Sequence, residues 1–139
     1  MDIKLDIGDA ERGLRKIIAR GEDMTPAMRD ISKIMELGVM DNFNEEGRPS
    51  WKPLSSATKR KQEQHKILQD TRQLRMSIVN QYSAKTAEVG TNKEYGAIHQ
   101  FGGKAGRGRK VEIPAREYLR ITEDETTEII ETVKDYLVK

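Results

Sequence analysis

The stretch V-G-T-N-K-E-Y-G-A-I-H-Q-F-G-G, residues 89–103, carries the most specific pattern in the chain. A Gly-Thr-Asn turn signal precedes a short segment in which Tyr95, Ile98 and Phe101 recur every three residues. That spacing predicts a helical or 3₁₀ turn with these three side chains gathered on one side as its anchors. Gly102 and Gly103 then release the chain into a basic, glycine-rich run. We interpret the stretch as a scaffolded turn that presents a loop.

Length and composition predict one domain over residues 1–139 with a lean core. Hydrophobic and charged residues each make up 35% of the chain, and the net charge is only +2, too near balance to identify a nucleic-acid binder. There is no cysteine, which excludes disulfides and thiolate chemistry. We recognise no signal peptide and no apolar run near the roughly 18 residues of a membrane span, so a protein without a membrane partner is expected.

The N-terminal part of the chain predicts one strand followed by two helices. Residues 2–7 alternate apolar and polar side chains, as in a half-buried strand. Asp9 is expected to cap a first helix. Thr25 and Pro26 are expected to be the N-cap and first position of a second helix that continues to Asn44. The two helices should pack against each other and against a sheet.

Residues 45–54 form a loop by composition, and they contain the single tryptophan, Trp51. Two interpretations are open for this side chain. It could anchor an interface, because tryptophan is enriched at binding hot spots, or it could pin the long loop to the body of the protein, which we favour. Ser55 or Ser56 is then expected to cap a short, strongly basic helix that ends at Gln64.

The middle of the chain predicts a short helix and a β-hairpin. Asp70 and Gln73 have the spacing of a capping box, so a helix should begin there. This helix is expected to pass into a strand near Ser77. Residues 86–89 should pair with that strand across the turn at 83–85.

The C-terminal part predicts a strand, an irregular segment and a final helix. Residues 111–113 alternate as a strand that Pro114 ends, and loop or extended structure follows. Thr122 and Glu125 form a capping box that opens the last helix, which should end near Val138. Together these elements predict an α+β fold, with a central antiparallel sheet and flanking helices.

The sequence holds no constellation that would support catalysis. His65 and His99 are the two histidines, and neither has the spacing of a metal-binding motif. A nucleophile elbow and a phosphate-binding loop are also missing. We therefore expect no enzyme, metal, cofactor or small-molecule substrate. His99 is expected to hydrogen-bond within its turn or to lie at a subunit contact.

Charge is distributed unevenly along the chain. Basic residues cluster at 59–66 and 104–110, whereas 123–131 is acidic, which predicts surfaces of opposite sign that suit the docking of copies or partners. The second basic cluster has two interpretations. It could bind phosphates without reading sequence, or it could be a solvated hairpin loop that orders on meeting a partner, which we favour.

Four segments give the chain a resemblance to a known family. They are W-K-P-L-S-S-A-T-K-R-K at 51–61, I-L-Q-D-T-R-Q-L-R-M-S-I at 67–78, the opening stretch at 89–103, and I-P-A-R-E-Y-L at 113–119. In order and spacing the chain resembles the phage virion morphogenesis family, the tail completion proteins of Mu-like and P2-like tailed bacteriophages. Two departures stand out. The family commonly has glycine at the position of Arg72, so a different turn or an earlier helix start is expected. It also commonly has Arg-Pro-Phe where this chain has Arg116-Glu117-Tyr118.

The resemblance implies a structural phage or prophage protein that completes the tail or the head–tail junction through protein–protein contacts. The implied partners are other tail or head–tail connector proteins and further copies of the chain in a ring, with six-fold symmetry as the expected case. The implied location is the host bacterial cytoplasm during assembly and then the tail or neck of the virion. The alternative is a non-sequence-specific nucleic-acid-binding module that uses residues 59–66 and 104–110, and basic loops facing DNA in a ring lumen would combine the two.

The candidate partner-binding residues lie in the loop at 45–54, the opening stretch and the segments that follow it. Arg116 is expected to pair with a carboxylate on an adjacent element. The full set is Trp51, Tyr95, His99, Phe101, Lys104, Arg107, Arg109, Lys110 and Arg116.

Overall fold

The structure is a computed structural model that describes residues 2–4, 12, 15, 23–54, 66–69, 72–109 and 111–137. Helices and small antiparallel sheets alternate in this part of the chain, so the predicted α+β class is confirmed. The elements are β1 (Asp2–Lys4), α1 (Thr25–Asn44), α2 (Gln73–Met76), β2 (Val79–Tyr82), β3 (Ala87–Gly90), α3 (Gly96–Phe101), β4 (Gly103–Ala105), a 3₁₀ turn (Arg107–Arg109), β5 (Val111–Ile113) and α4 (Glu123–Leu137).

Within the described ranges, the main sheet has three antiparallel strands in the order β1-β3-β2. Val89 in β3 lies opposite Ile3 on one side and Asn80 on the other. Strands β2 and β3 form the predicted hairpin, closed by a hydrogen bond from Ser83 N to Thr86 O of 2.9 Å. The predicted N-terminal strand is confirmed for residues 2–4, while the rest of that prediction lies outside the described residues.

Helix α1 covers the sheet and also packs against α4. One face of α1 is apolar at three- and four-residue spacing, so its side chains form a continuous buried row. Val89, in the central strand, is fully buried beneath it. Burial of each such side chain contributes about 1.5–3 kcal/mol to folding. The row consists of Met28, Ile31, Met35, Val39 and Phe43.

The start of α1 differs from the prediction by one residue. The helix begins at Thr25 rather than after it, and Met24 holds the cap position without a side-chain hydrogen bond. The Thr25 hydroxyl instead donates to the carboxylate of Asp23 at 2.5 Å. This bond and a second one from the Thr25 backbone amide lower the pKa of Asp23. Pro26 is therefore the second residue of the helix, one position later than predicted, and still lies in its first turn. The predicted first helix after Asp9 lies outside the described residues, apart from two of its positions.

Helix α2 begins later than predicted. Its cap position is Arg72, whose φ of 59° and ψ of 11° place it in the left-handed region. An L-residue there costs roughly 1–2 kcal/mol, whereas glycine adopts this conformation readily. The prediction of an earlier start, at the Asp70–Gln73 capping box, is therefore wrong, and a left-handed backbone explains why glycine suits this position. Asp70 itself and the predicted basic helix at 55–64 lie outside the described residues.

The predicted cap of α4 is confirmed in its first half only. The Glu125 amide donates to the Thr122 hydroxyl at 3.4 Å. The Glu125 carboxylate does not return to the Thr122 amide, because it accepts hydrogen bonds from Arg48. Ile129 and Val133 of α4 are buried. No helix in the described ranges has the length and apolar character needed to cross a bilayer.

Candidate partner-binding surface

Strands β4 and β5 pair as an antiparallel hairpin over residues 103–113, which we call the arm. Lys104 lies opposite Glu112, and the 3₁₀ turn at the tip is closed by a bond from Arg109 N to Gly106 O of 3.1 Å. All described arm residues are exposed except two that are half-buried, Ala105 and Ile113. The arm therefore has the form of the solvated hairpin that we favoured for this run, with its cations displayed. Lys110 lies outside the described residues.

Gly102 fixes the direction in which the arm leaves the body. Its φ is 75°, and a Cβ built there would lie 2.8 Å from the backbone nitrogen of Ala115. A side chain at this position would therefore clash with the returning chain. Its amide donates to Ile98 O at 2.7 Å, which ends α3. Just after the arm, the Arg116 amide donates to His99 O at 2.7 Å, so the chain is bonded to α3 on both sides of the arm.

Residues 114–122, which we call the clasped segment, follow the arm directly and form no regular structure up to α4. Side chains from other elements bind its carbonyl groups. The Asn42 amide of α1 donates to Tyr118 O at 2.7 Å and to Arg120 O at 3.0 Å. Buried carbonyls must be hydrogen-bonded, and here side chains replace the missing neighbouring strand.

Helix α3 holds the same segment from a second side. Gln100 donates to Leu119 O at 3.0 Å and accepts from Leu119 N at 2.9 Å, so one amide side chain satisfies both backbone groups. The Tyr118 hydroxyl donates to Gly96 O at 2.7 Å. A Cβ at Gly96 would lie 2.8 Å from that hydroxyl oxygen, so the contact requires glycine. Burial, with a smaller effect of Tyr95, raises the pKa of Tyr118 to about 12.

Arg48 connects α1 and α4, and it also orients the Asn42 side chain that binds the clasped segment. Its guanidinium donates to both carboxylate oxygens of Glu125, at 2.5 and 3.2 Å, and to Gly38 O at 2.5 Å. Its Nε donates to the Asn42 side-chain oxygen at 2.7 Å, which orients that amide toward the clasped segment. This charged network is largely buried, so each member depends on the others.

Trp51 packs inside the protein. Its side chain is 8% exposed, its ring meets Phe43 edge-on at a centroid distance of 5.9 Å, and its Nε1 donates to Glu117 O at 3.3 Å. This geometry fits the interpretation that Trp51 pins the loop at 45–54. It leaves little of the ring available to a partner.

Arg116 forms no ion pair with the described residues, whereas a carboxylate partner was predicted. Among the described residues, its guanidinium donates to two carbonyls of the loop at 45–54, Lys52 O at 3.0 Å and Pro53 O at 3.1 Å. The prediction failed because the clasped segment lies against loop backbone at this point. Burial lowers the pKa of Arg116, consistent with a cation held by neutral acceptors.

The predicted turn at 95–101 is the helix α3, but its aromatic side chains are not anchors. Phe101 is 72% exposed and Tyr95 is 39% exposed, whereas Gly96 and Gln100 are buried. The three-residue spacing correctly predicted that these side chains share one side of the helix. The two aromatic rings on that side are exposed, however, and not buried as anchors. Phe101 therefore lies at the base of the arm as an accessible apolar group.

His99 lacks the hydrogen bond that we expected within its turn. Its Nδ1 is buried and has no partner within the described part of the chain. Its ring contacts Tyr95 edge-on at 6.1 Å. Burial, and secondarily the charge of Arg116, lower the pKa of His99. No group of three or more potential metal-ligating side chains occurs in the described residues.

The structure thus separates the predicted set into exposed and buried members. Tyr95, Phe101 and the described arm cations are exposed, and they lie on α3 and the segment directly after it. Trp51 and Arg116 are buried where the loop at 45–54 meets the clasped segment. Sequence reasoning missed Asn42, Gln100 and Arg48. A polar residue at a buried position of the α1 pattern was the available signal for Asn42; the other two had none, because their partners are distant in sequence.

Comparisons with known proteins agree with the motifs. The phage virion morphogenesis family matches residues 5–138. The chain is also 43% identical over 137 residues to the Mu-like prophage FluMu G protein 2 of Haemophilus influenzae, covering 96% of this chain and 95% of that protein. No solved structure matches significantly. The protein therefore belongs to the phage virion morphogenesis family, and this membership gives it a structural or assembly role in phage particles.

Proposed function

We propose that this protein completes the tail or the head–tail junction during virion assembly and acts through protein–protein contacts rather than catalysis. Copies of the chain form a ring, with six as the expected number, and bind tail or head–tail connector proteins. Assembly takes place in the host bacterial cytoplasm, and the protein then remains in the tail or neck. The observation that carries the proposal is an exposed, basic arm mounted on a rigidly bonded segment.

This arrangement suits presentation of a contact surface. The clasped segment fixes the base of the arm through hydrogen bonds from α1 and α3, as described above. The arm displays Lys104, Arg107 and Arg109 beside the exposed ring of Phe101. Arginine and aromatic side chains are enriched in protein interfaces. By contrast, His99 has no acid or base partner in the described residues, which supports a role without chemistry.

The test is replacement of residues 104–110 by a glycine-serine linker of equal length. The variant should fold, because the arm contributes almost nothing to the core, but a phage or prophage carrying it should produce incomplete tails. Particle morphology and infectious titre measure the result. Normal infectious particles would contradict the proposal. A variant with Lys33, Lys85 and Lys93 changed to glycine or serine, three exposed cations outside the arm, is the matched control.

A second candidate function is supported by the same cations. An exposed hairpin with three described basic side chains could bind nucleic acid through phosphates without reading sequence. The affinity for DNA should then fall by about one power of salt concentration for each phosphate bound. A filter-binding titration at several salt concentrations separates the candidates, since the absence of binding at low salt removes this one.

A further inference from the structure

The outer face of α4 carries a row of carboxylates. Asp124, Glu128, Glu131 and Asp135 follow one another at spacings of four, three and four residues, so they form one stripe on the exposed side of the helix. All four are exposed. The opposite side of α4, with Ile129 and Val133, packs into the core. The stripe is therefore fixed in position and directed outward.

The four carboxylates of the stripe repel one another, so a cationic partner would stabilise them. Like charges at three- and four-residue spacing destabilise a helix. No ion pair within the described residues involves the four carboxylates. Lys134, on the same helix, lies at the edge of the stripe. Any further neutralising cation would have to come from another element or another molecule.

The arm supplies the complementary charge. Lys104, Arg107 and Arg109 are exposed, and none of them forms an ion pair with the described part of its own chain. The numbers of charges are also comparable, since the arm has three described cations and the stripe has four carboxylates.

We propose that the arm of one copy docks on the acidic stripe of α4 in a second copy of this chain. The arm and the stripe are different surfaces of one chain, so this contact is heterologous and each copy uses both. Such contacts close into rings when the rotation between copies allows it. The inference rests on the proposed function, whose ring it provides with an interface.

Charge reversal on each side tests this contact. The arm variant is Lys104→Glu/Arg107→Glu/Arg109→Glu, and the stripe variant is Glu128→Lys/Glu131→Lys/Asp135→Lys. Like charges facing each other across an interface cost several kcal/mol, so each variant should associate at least about 100-fold more weakly than wild type. Sedimentation velocity over a concentration series measures association, and circular dichroism checks that each variant is folded. Wild-type association should also weaken as salt rises.

Mixing the two variants gives a result that a nonspecific charge effect would not. In the mixture, the normal arm of the stripe variant meets the normal stripe of the arm variant, and the anionic arm of the arm variant meets the cationic stripe of the stripe variant. Neither variant should therefore assemble alone, whereas the mixture should assemble beyond dimers, and a single chain carrying both sets of changes should regain the wild-type assembly. A control variant, Lys33→Glu/Lys85→Glu/Lys93→Glu, has the same net charge as the arm variant at other exposed positions and should associate like wild type.

Several outcomes would overturn the inference. These are a monomeric wild-type protein at all concentrations, association that the arm variant leaves intact, a mixture of the two variants that does not assemble beyond dimers, or equal weakening by the control variant. A monomeric protein whose arm binds DNA would assign the cations to nucleic acid instead. The proposed function has a separate readout. Completed tails from a monomeric wild-type protein would remove this contact and the ring but leave the role in tail completion standing, whereas infectious particles from a non-associating arm variant would contradict that role.

Discussion

The arm and the clasped segment are neighbours in sequence and opposite in physical character. Residues 103–113 bond mainly to one another and display charge to solvent. Residues 114–122 have no strand partner in the part of the chain that the structure describes, yet α1, α3 and the loop at 45–54 bond to them. This difference in bonding gives the two short segments different roles. The clasped segment gives the arm a rigid base, and the arm gives the protein an accessible surface.

Substitution of Arg48 should lower the unfolding free energy most, because it disrupts the network that supports the clasped segment. Arg48→Met leaves the Glu125 carboxylate without its cation and frees the Asn42 side chain that binds Tyr118 O. Loss of one partner from a buried ion pair costs about 3–5 kcal/mol, and the partial exposure of Arg48 reduces this to about 2–4 kcal/mol. Urea unfolding followed by circular dichroism measures the change in unfolding free energy.

A matched double variant tests the cause of that loss. Arg48→Met/Glu125→Leu removes the uncompensated carboxylate as well, so it should be more stable than Arg48→Met alone. If Arg48→Met lowers the unfolding free energy by less than about 1 kcal/mol, the clasped segment does not depend on this network.

A smaller effect is expected when Tyr118 loses its hydroxyl. Tyr118→Phe keeps the ring against Phe43 but removes the hydrogen bond from the Tyr118 hydroxyl to Gly96 O. Loss of one such hydrogen bond costs about 0.5–1.5 kcal/mol. Tyr82→Phe, at an exposed position of β2, is the control and should change stability by less than about 0.5 kcal/mol. Equal effects of the two variants would argue against a special contact at Gly96.

The pH dependence of stability should report the environment of His99, which lies on α3 next to the clasped segment, where its carbonyl accepts from the Arg116 amide. Its folded pKa is lowered below the ordinary value of 6.5, so the unfolded chain binds the proton more readily. Unfolding free energy should therefore fall as pH drops below 6.5 and level off below the folded pKa, by at most about 1.4 kcal/mol per pH unit.

A His65→Gln background isolates this titration, because His65 is the other histidine in the chain. In that background, urea unfolding at several pH values should show a flatter profile after His99→Gln. Unchanged slopes would place the pH dependence in other groups.

The sequence predicted local structure better than the contacts that hold it. Helix α1, the β2–β3 hairpin, β5 and the start of α4 follow from periodicity and capping residues, which depend on near neighbours. The α2 start was missed because Arg72 adopts a left-handed backbone that its residue type does not favour. The predicted pairing of Arg116 with a carboxylate failed for another reason, since its carbonyl partners lie more than 60 residues away.

The predicted contact residues divide along the same line. A basic, glycine-rich composition suffices to predict an exposed loop, and Lys104, Arg107 and Arg109 are exposed. Aromatic side chains carry no such signal, because Trp51 and Phe101 are apolar in sequence and end in opposite environments. Burial of these rings depends on the tertiary positions of α1 and α3.

The smallest effect on stability should come from the arm, together with the largest effect on assembly. Lys104→Ala/Arg107→Ala/Arg109→Ala removes three exposed charges that form no ion pair within the described residues. Each change at such positions alters the unfolding free energy by less than about 0.5 kcal/mol. Urea unfolding should therefore superimpose on wild type, while self-association measured by sedimentation falls.

The pairing of these two measurements decides whether the two regions have separate roles. A clasp variant such as Tyr118→Phe should lose stability first and lose association only in proportion to the unfolded fraction. The alanine arm variant should lose association with its folded fraction unchanged. If instead the arm variant loses as much stability as Tyr118→Phe, the arm belongs to the folding unit. It could then no longer be treated as a surface that the clasped segment presents.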